Sequence, residues 1–262
     1  MSYKTDMHIH SVYSDGWMSP VELVRKYKDD DYDVVSITDH DNVKGVHDAL
    51  VSGEALRIQV VPGIELSTGK ILSGNDYVSE IHILGYHIDT ENPGLLSLSE
   101  KLLKGREERN AVVREDLRNR GYNLDEGIIN ERNGGKYVAK PDFVRALAAC
   151  GVEKKDAWRM MDEAALRYMP ETEEGIEVIR SAGGMAVLAH PMKISGLRPN
   201  EVGFFDRLSD FVGELKKAGL KGMECFHPSA GEKESLELVK IAGKYHLHIT
   251  EGSDFHGDKG EA

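Results

Sequence analysis

Six of the eleven histidines in this 262-residue chain fall, together with three acidic residues, on or just after short extended segments. His8 and His10 close a first strand-like segment, Thr5 to His10, and stand two apart, so their side chains share one face. Asp15 follows in the adjoining Gly-containing loop. His40 comes just after a second strand, Asp33 to Thr38, and Glu65 at the end of a third, Ile58 to Leu66. His82 lies within a fourth, Glu80 to Tyr86, and His190 follows Met185 to Ala189. Asp254 and His256, again two apart, follow His248 to Thr250. Taken singly, each has a plain structural explanation: a strand histidine packs in a core, and Asp15 before Gly16 suits a turn. Taken jointly, two same-face pairs and four further groups on separate strands point to metal ligation. Six imidazoles and three carboxylates exceed the roughly four to six ligands of one ion. A cluster of two or three divalent cations fits, with Glu65 able to bridge, and mixed imidazole and carboxylate donors suit Zn²⁺, Mn²⁺ or Fe²⁺.

The elements that must position these groups alternate along the chain. Ser19-Pro20-Val21-Glu22 has the pattern of a helix start, with Ser19 as N-cap, Pro20 at the first helical position and Glu22 completing a capping box. Val43 to Val51 predicts a second helix. Leu95 to Arg120 is a long charged helix ending at Gly121; Pro141 to Ala149 and Lys154 to Arg167 follow, and no strand is expected between about 95 and 170. Alternation resumes with helices over Thr172–Ala182, Phe204–Ala218 and Gly231–Tyr245 and a strand over Gly222–Phe226. The expectation is an α/β protein in which residues 1–94 and 171–262 build a parallel sheet, open or closed into a barrel, around a helical insertion at 95–170. In such architectures the C-terminal strand ends converge on one face, where active sites are built. His47, His246 and His248 are assigned to helix surfaces and excluded from the site.

Composition narrows the chemistry. Lys and Arg number 33 against 45 Asp and Glu, a formal charge of −12, with 40% apolar and 30% charged residues. This is a globular composition, and its acidity argues against binding long nucleic-acid duplexes. No stretch approaches the ~20 apolar residues of a membrane helix, and the first residues lack a secretory apolar core, so a cytoplasmic location is expected. Cys150 and Cys225 cannot form a disulfide framework and are expected to be reduced, buried packing residues rather than nucleophiles. Three carboxylates would offset only half the charge of three divalent ions. The remaining positive pocket would attract a phosphate dianion on a small substrate.

These residues sit in recognisable motifs. His8-Ile9-His10-Ser11 with Asp15-Gly16, Ile37-Thr38-Asp39-His40-Asp41, Pro62-Gly63-Ile64-Glu65, Glu80-Ile81-His82-Ile83-Leu84-Gly85-Tyr86, Leu188-Ala189-His190-Pro191 and Gly252-Ser253-Asp254-Phe255-His256-Gly257 resemble, in order, the motifs of the PHP (polymerase and histidinol phosphatase) family. The resemblance implies a distorted (β/α)₇ barrel with a trinuclear metal centre. By similarity, His8, His10, Glu65 and Asp254 would hold one ion, Glu65, His82 and His190 a second, and Asp15, His40 and His256 a third. It is greatest to stand-alone phosphoesterases, which act on nucleoside monophosphates, 3′,5′-bisphosphates or the 5′ end of short RNA. The implied chemistry is in-line attack on a phosphomonoester by a hydroxide held between ions. Histidinol phosphate or phosphotyrosine are alternative substrates within the family, and a non-catalytic metal-binding module is a further alternative. In those relatives the insertion caps the site and supplies substrate contacts. Here the corresponding stretch, Lys140 to Arg145, carries Lys140 and Asp142 where Arg and His are usual. Candidate substrate contacts are Lys140, Arg145, Arg167, Lys193 and His227, with His227 also a candidate general acid. Asp39 and Asp41, flanking His40, are expected to cap a helix or orient ligands.

Overall fold

The computed structural model describes residues 3–162 and 168–257. Strands β1 (Thr5–Ile9), β2 (Val34–Ile37) and β3 (Gln59–Val60) pair in parallel in that order. A second sheet runs β4 (Gly63–Ile71), β5 (Val78–Tyr86), β6 (Met185–Leu188), β7 (Gly222–Phe226) and β8 (His248–Glu251). Two bridges couple the sheets: Ile9 pairs with Phe255 just beyond β8, and His40 just beyond β2 pairs with Glu65 in β4. The architecture is a mixed α/β fold.

Two strand expectations are corrected. The sheet is not wholly parallel, because β4 pairs antiparallel with β5, and β5 antiparallel with β6. The segment 72–77, with Gly74 at φ 82°, is too short for the crossover that parallel strands require, and it closes a hairpin instead. The single strand expected over Ile58–Leu66 is two strands in different sheets. Pro62 lies at the break, where it has no N–H to give to a ladder. Glu65 is consequently the third residue of a long strand and not its end.

Helices cover the outer faces. α1 (Pro20–Asp29) starts with the expected box: the Glu22 N–H donates to Ser19 Oγ at 3.3 Å, and Glu22 Oε2 accepts the Ser19 N–H at 2.8 Å. With α2 (Val46–Leu56) it buries Leu23, Val24 and Ala49 against Ile9 and Ile37. Three helices, α7 (Thr172–Ser181), α8 (Phe204–Ala218) and α9 (Glu232–Lys244), contribute Ile176, Ile179, Leu208, Val212 and Leu238 to the core of the second sheet. A smaller cluster of Val61, Leu84, Tyr86 and Val187 with Met7 and Val34 draws side chains from both sheets. Each such buried aliphatic side chain stabilises by about 1.5–3 kcal/mol, which fixes the strand ends that carry the polar residues.

Between β5 and α7 come α3 (Pro93–Asn119), α4 (Glu126–Ile129), α5 (Lys140–Ala149) and α6 (Lys154–Asp162). Asn92 caps α3 by accepting the Gly94 and Leu95 N–H groups. This block has an apolar core of its own, including Val113, Leu117, Phe143, Leu147 and Met161, and is tied to the sheets by polar contacts. Arg106 donates to Asp41 Oδ2 at 2.6 Å, and Arg132 Nη1 donates to the Ser14 carbonyl at 3.1 Å. The helix expected to run to Arg167 is observed to Asp162, and Arg167 lies outside the described residues. Cys225 is buried as expected, but Cys150 is exposed, because it occupies the C-cap of α5 at the surface. His248 opens β8 and does not belong to a helix.

Candidate metal centre and cavity

Glu65, fully buried, is the hub of the polar residues. Its Oε2 lies 3.3 Å from His8 Nε2, 3.3 Å from His10 Nε2 and 2.9 Å from His40 Nδ1. Its Oε1 lies 2.9 Å from both His82 Nδ1 and His190 Nε2. The carboxylate therefore divides its two oxygens between two groups of imidazoles. Asp254 Oδ1 stands 3.1 Å from His10 Nε2 and 3.5 Å from His8 Nε2. Asp15 joins from the loop after β1, with Oδ1 3.2 Å from His256 Nε2 and Oδ2 3.6 Å from His40 Nε2. All nine residues picked out in the sequence thus meet in one place.

Local structure explains the convergence. His8 and His10 alternate with Ile9, so the pair faces inward while Ile9 packs under α1. His190 and Asp254 both have positive φ, 23° and 54°, a backbone cost that non-glycine residues bear chiefly where surroundings enforce it. Asp6 is part of that enforcement, accepting the Ser253 N–H at 3.0 Å and the Tyr27 hydroxyl at 2.7 Å. Asp39 accepts the Ser11 N–H at 2.7 Å and the Ser14 hydroxyl at 2.6 Å, holding the loop that carries Asp15. Asp41 accepts the Ser67 N–H at 2.8 Å and pairs with Arg106. Both aspartates therefore brace the loops around the cluster, and neither caps a helix.

The charges are strongly coupled. Burial alone would raise the Glu65 carboxyl, but His40, His82 and His8 overcome it and hold it well below the usual range. Asp15 and Asp254 are likewise depressed by neighbouring imidazoles despite burial. Burial opposes protonation of His82, yet Glu65 and Glu80 raise it to about 10. His256 is raised to about 9 by Asp15, against burial. His10, buried beside His256 and His40, is pushed down to about 3. The three acids are thus held ionised, and protons on imidazoles such as His82 and His256 stand where a cation would take over their role.

The donor set fits divalent cations. His8 Nε2, His10 Nε2, His40 Nδ1, Glu65 Oε2 and Asp15 Oδ1 are all buried with no hydrogen-bond partner. Buried polar atoms are otherwise nearly always paired, so five orphaned lone-pair atoms aimed at one centre match an ion site. Three overlapping sets each offer ligand atoms within 4.8 Å of one another: His10, Asp15, His40 and His256; His8, His10 and Glu65; and His40, Glu65 and His82.

A cavity of about 900 Å³ opens over the cluster. It is lined by Arg106, Arg109, Lys140, Arg145 and Lys193, and by the aromatic side chains of Trp17, Tyr77 and Trp158. Lys193 Nζ lies 2.7 Å from Asp254 Oδ2; burial opposes its charge, but Asp254 prevails and raises its pKa. His227 Nε2 lies 3.3 Å from the same oxygen. The Ser229 N–H donates to His227 Nδ1 at 2.9 Å, so the neutral ring carries its proton on Nε2. Lys140 Nζ is 3.5 Å from Glu80 Oε2 at the rim. Arg145 stacks over the Trp17 ring, 4.9 Å from its centroid, and donates to Asp142 Oδ1 at 2.9 Å. Asp142 itself is buried, paired also with Arg132, and accepts the Ala139 N–H.

Sequence reasoning missed Glu224, Arg106, Arg109 and Trp17. Glu224 lies in β7 among apolar residues, where an inward-facing acid was the available signal. Arg106 and Arg109 are three apart on α3, a spacing that places them on one helical face, but the helix is charged throughout.

A family model for the PHP domain matches residues 6–181. The chain belongs to the PHP family. Over 98% of its length it is 29% identical to a 5′-3′ exoribonuclease from Haemophilus influenzae, covering 91% of that protein. It is 25% identical over 96% of its length to a 3′,5′-nucleoside bisphosphate phosphatase from Chromobacterium violaceum, covering 86% of it. Among solved structures, a candidate metal-dependent phosphoesterase from Bifidobacterium adolescentis superposes with a TM-score of 0.79 at 25% identity, covering 98% of this chain and 89% of that one. This PHP chain is a metal-dependent phosphoesterase. Among the described residues, no helix is long and apolar enough to cross a membrane.

Proposed function

We propose that this PHP protein hydrolyses a phosphomonoester of a nucleotide-like substrate: AMP, a nucleoside 3′,5′-bisphosphate, or the 5′-phosphorylated end of a short RNA. The observation that carries this reading is Glu65, whose two oxygens serve two separate groups of imidazoles. We assign His8, His10, Glu65 and Asp254 to one divalent cation, Glu65, His82 and His190 to a second, and Asp15, His40 and His256 to a third, drawn from Mn²⁺, Fe²⁺ and Zn²⁺. When bound, such ions supply Lewis-acid charge and an activated water. The remaining work falls to side chains. Lys193, Lys140 and Arg145 line the cavity, where they would meet the phosphoryl oxygens and a substrate's second charged group. His227 Nε2 stands beside Asp254, and the protonated ring would give its proton to the departing alkoxide. Residues 1–94 and 171–262 are assigned to a distorted (β/α)₇ barrel, supported by the two inter-sheet bridges. Residues 95–170 are assigned to a cap, supported by the cavity lining from α3, α5 and α6. Names of relatives that act on RNA and on nucleoside bisphosphates support the nucleotide class.

The test is chelation followed by resupply of Mn²⁺, Zn²⁺ or anaerobic Fe²⁺, with AMP, a 3′,5′-bisphosphate, short 5′-phosphorylated RNA, histidinol phosphate and phosphotyrosine assayed side by side. Metal-restored turnover of a nucleotide is expected. A rate no higher than the metal-only blank on every phosphoester would favour a binding module, and preference for histidinol phosphate or phosphotyrosine would move the substrate class.

A further inference from the structure

Glu224, at the third position of β7, is an acid outside the nine with no solvent exposure. Its Oε1 lies 3.0 Å from His8 Nδ1, and its Oε2 accepts the His190 backbone N–H at 2.7 Å. Among the described residues, the ion-pair partner of this carboxylate is His8, with no Lys or Arg against it. Burying an acid without a strong cation is costly, so its two contacts must matter to something beyond packing. They join three elements. His8 is on β1, His190 follows β6, and Glu224 reaches both from β7.

The geometry points to Glu224 as the positioning residue that sets how His8 and His190 present themselves to the metal centre, an inference that rests on the metal reading above. A carboxylate only accepts, and its partner at Oε2 is a backbone N–H, so a neutral His8 ring facing it carries its proton on Nδ1, which leaves the Nε2 lone pair facing Glu65 and Asp254. This is the carboxylate–histidine–metal arrangement, in which the outer acid fixes the tautomer and strengthens the ligand. His10 is oriented by a separate relay: its Nδ1 lies 3.3 Å from Ser14 Oγ, which in turn donates to Asp39. The second oxygen of Glu224 anchors the strained turn at His190, whose φ of 23° brings the ring back toward Glu65. Gly252 leaves the space this requires, since a Cβ there would stand 2.6 Å from Glu224 Oε1 and 2.3 Å from His8 Cβ.

Glutamine at 224 tests the idea, because its amide keeps one acceptor but turns an N–H₂ toward a second donor. Zn²⁺ affinity is measured by competition with a chelator for the full-length protein, Glu224→Gln and the surface control Glu237→Gln on α9. Glu224→Gln is expected to bind Zn²⁺ about 10–100-fold more weakly, with the control unchanged. A folded Glu224→Gln that binds Zn²⁺ with wild-type affinity overturns the inference, including the case where only its metal-free melting temperature drops, as a purely structural residue would show. Should the variant not fold, ¹⁵N NMR of the zinc-loaded wild type decides: a protonated Nδ1 on His8 is expected, and a protonated Nε2 overturns it. Failure of the wild type to bind Zn²⁺ at all would instead remove the metal reading on which this rests.

Discussion

Replacing Glu65 by glutamine removes one negative charge and one acceptor while keeping the shape of the side chain. In the native arrangement its oxygens stand 2.9–3.3 Å from five imidazole nitrogens, so cations bound by those rings would share the carboxylate. A unit charge about 3 Å from its partner, in an effective dielectric of about 20, is worth about 5 kcal/mol. Relief of burying the carboxylate, and the oxygen that the amide retains, offset part of this. About 3 kcal/mol of cation binding is then lost, on the order of 100-fold in dissociation constant. Because the two oxygens face different imidazole groups, the loss should extend to more than one ion. Equilibrium dialysis against Mn²⁺ or Zn²⁺, with elemental analysis of wild type and Glu65→Gln, reads both affinity and stoichiometry. Phosphatase activity should fall in step. If Glu65→Gln kept the wild-type number of ions at affinities within about threefold, the shared-carboxylate reasoning would be wrong.

The metal-free protein should show a stability maximum near neutrality. His82 and His256 have folded pKa values of about 10 and 9, above the free value of about 6.5. Their contribution is therefore complete below about 6.5 and lost as pH rises through 9 to 10. His10, held near 3, and the depressed carboxyls of Glu65, Asp15 and Asp254 lower stability on the acid side; melting in chelator that is flat from about pH 6.5 to 10 contradicts this. Asp142→Asn should destabilise by about 3 kcal/mol, because Arg132 and Arg145 lose a buried carboxylate; an unchanged urea midpoint would show that the network carries no net stability. Lys193→Ala should raise KM for a phosphorylated substrate about tenfold while Zn²⁺ stoichiometry stays constant; equal loss of metal would make Lys193 part of the Asp254 site and not a substrate contact.

All nine ligand-type residues were legible in the chain because cation binding draws on few side-chain types, and the imidazoles and carboxylates among them fell on or after extended segments. The start of α1 was legible for a similar reason, since Ser19 and Glu22 form a local capping box and Pro20 at the first helical position has no N–H to satisfy. The β4–β5 hairpin was not legible. Its direction depends on whether the chain between Ile71 and Val78 turns or crosses over, and the alternation of strands and helices suggested crossing over.

What the order of residues determined by itself was the set of donors and the segments that carry them. Tertiary structure decided which donors meet: Glu65 faces five imidazoles drawn from β1, β5 and the turns after β1, β2 and β6. It also decided the roles of residues whose types say nothing unusual. Glu224 in a strand and Arg106 on a charged helix acquire meaning from partners distant in the chain, His8 and Asp41, 216 and 65 residues away. The physical reason is that a side chain's charge and hydrogen-bonding capacity are local, whereas the desolvation and partners that give them consequence are properties of the packed interior.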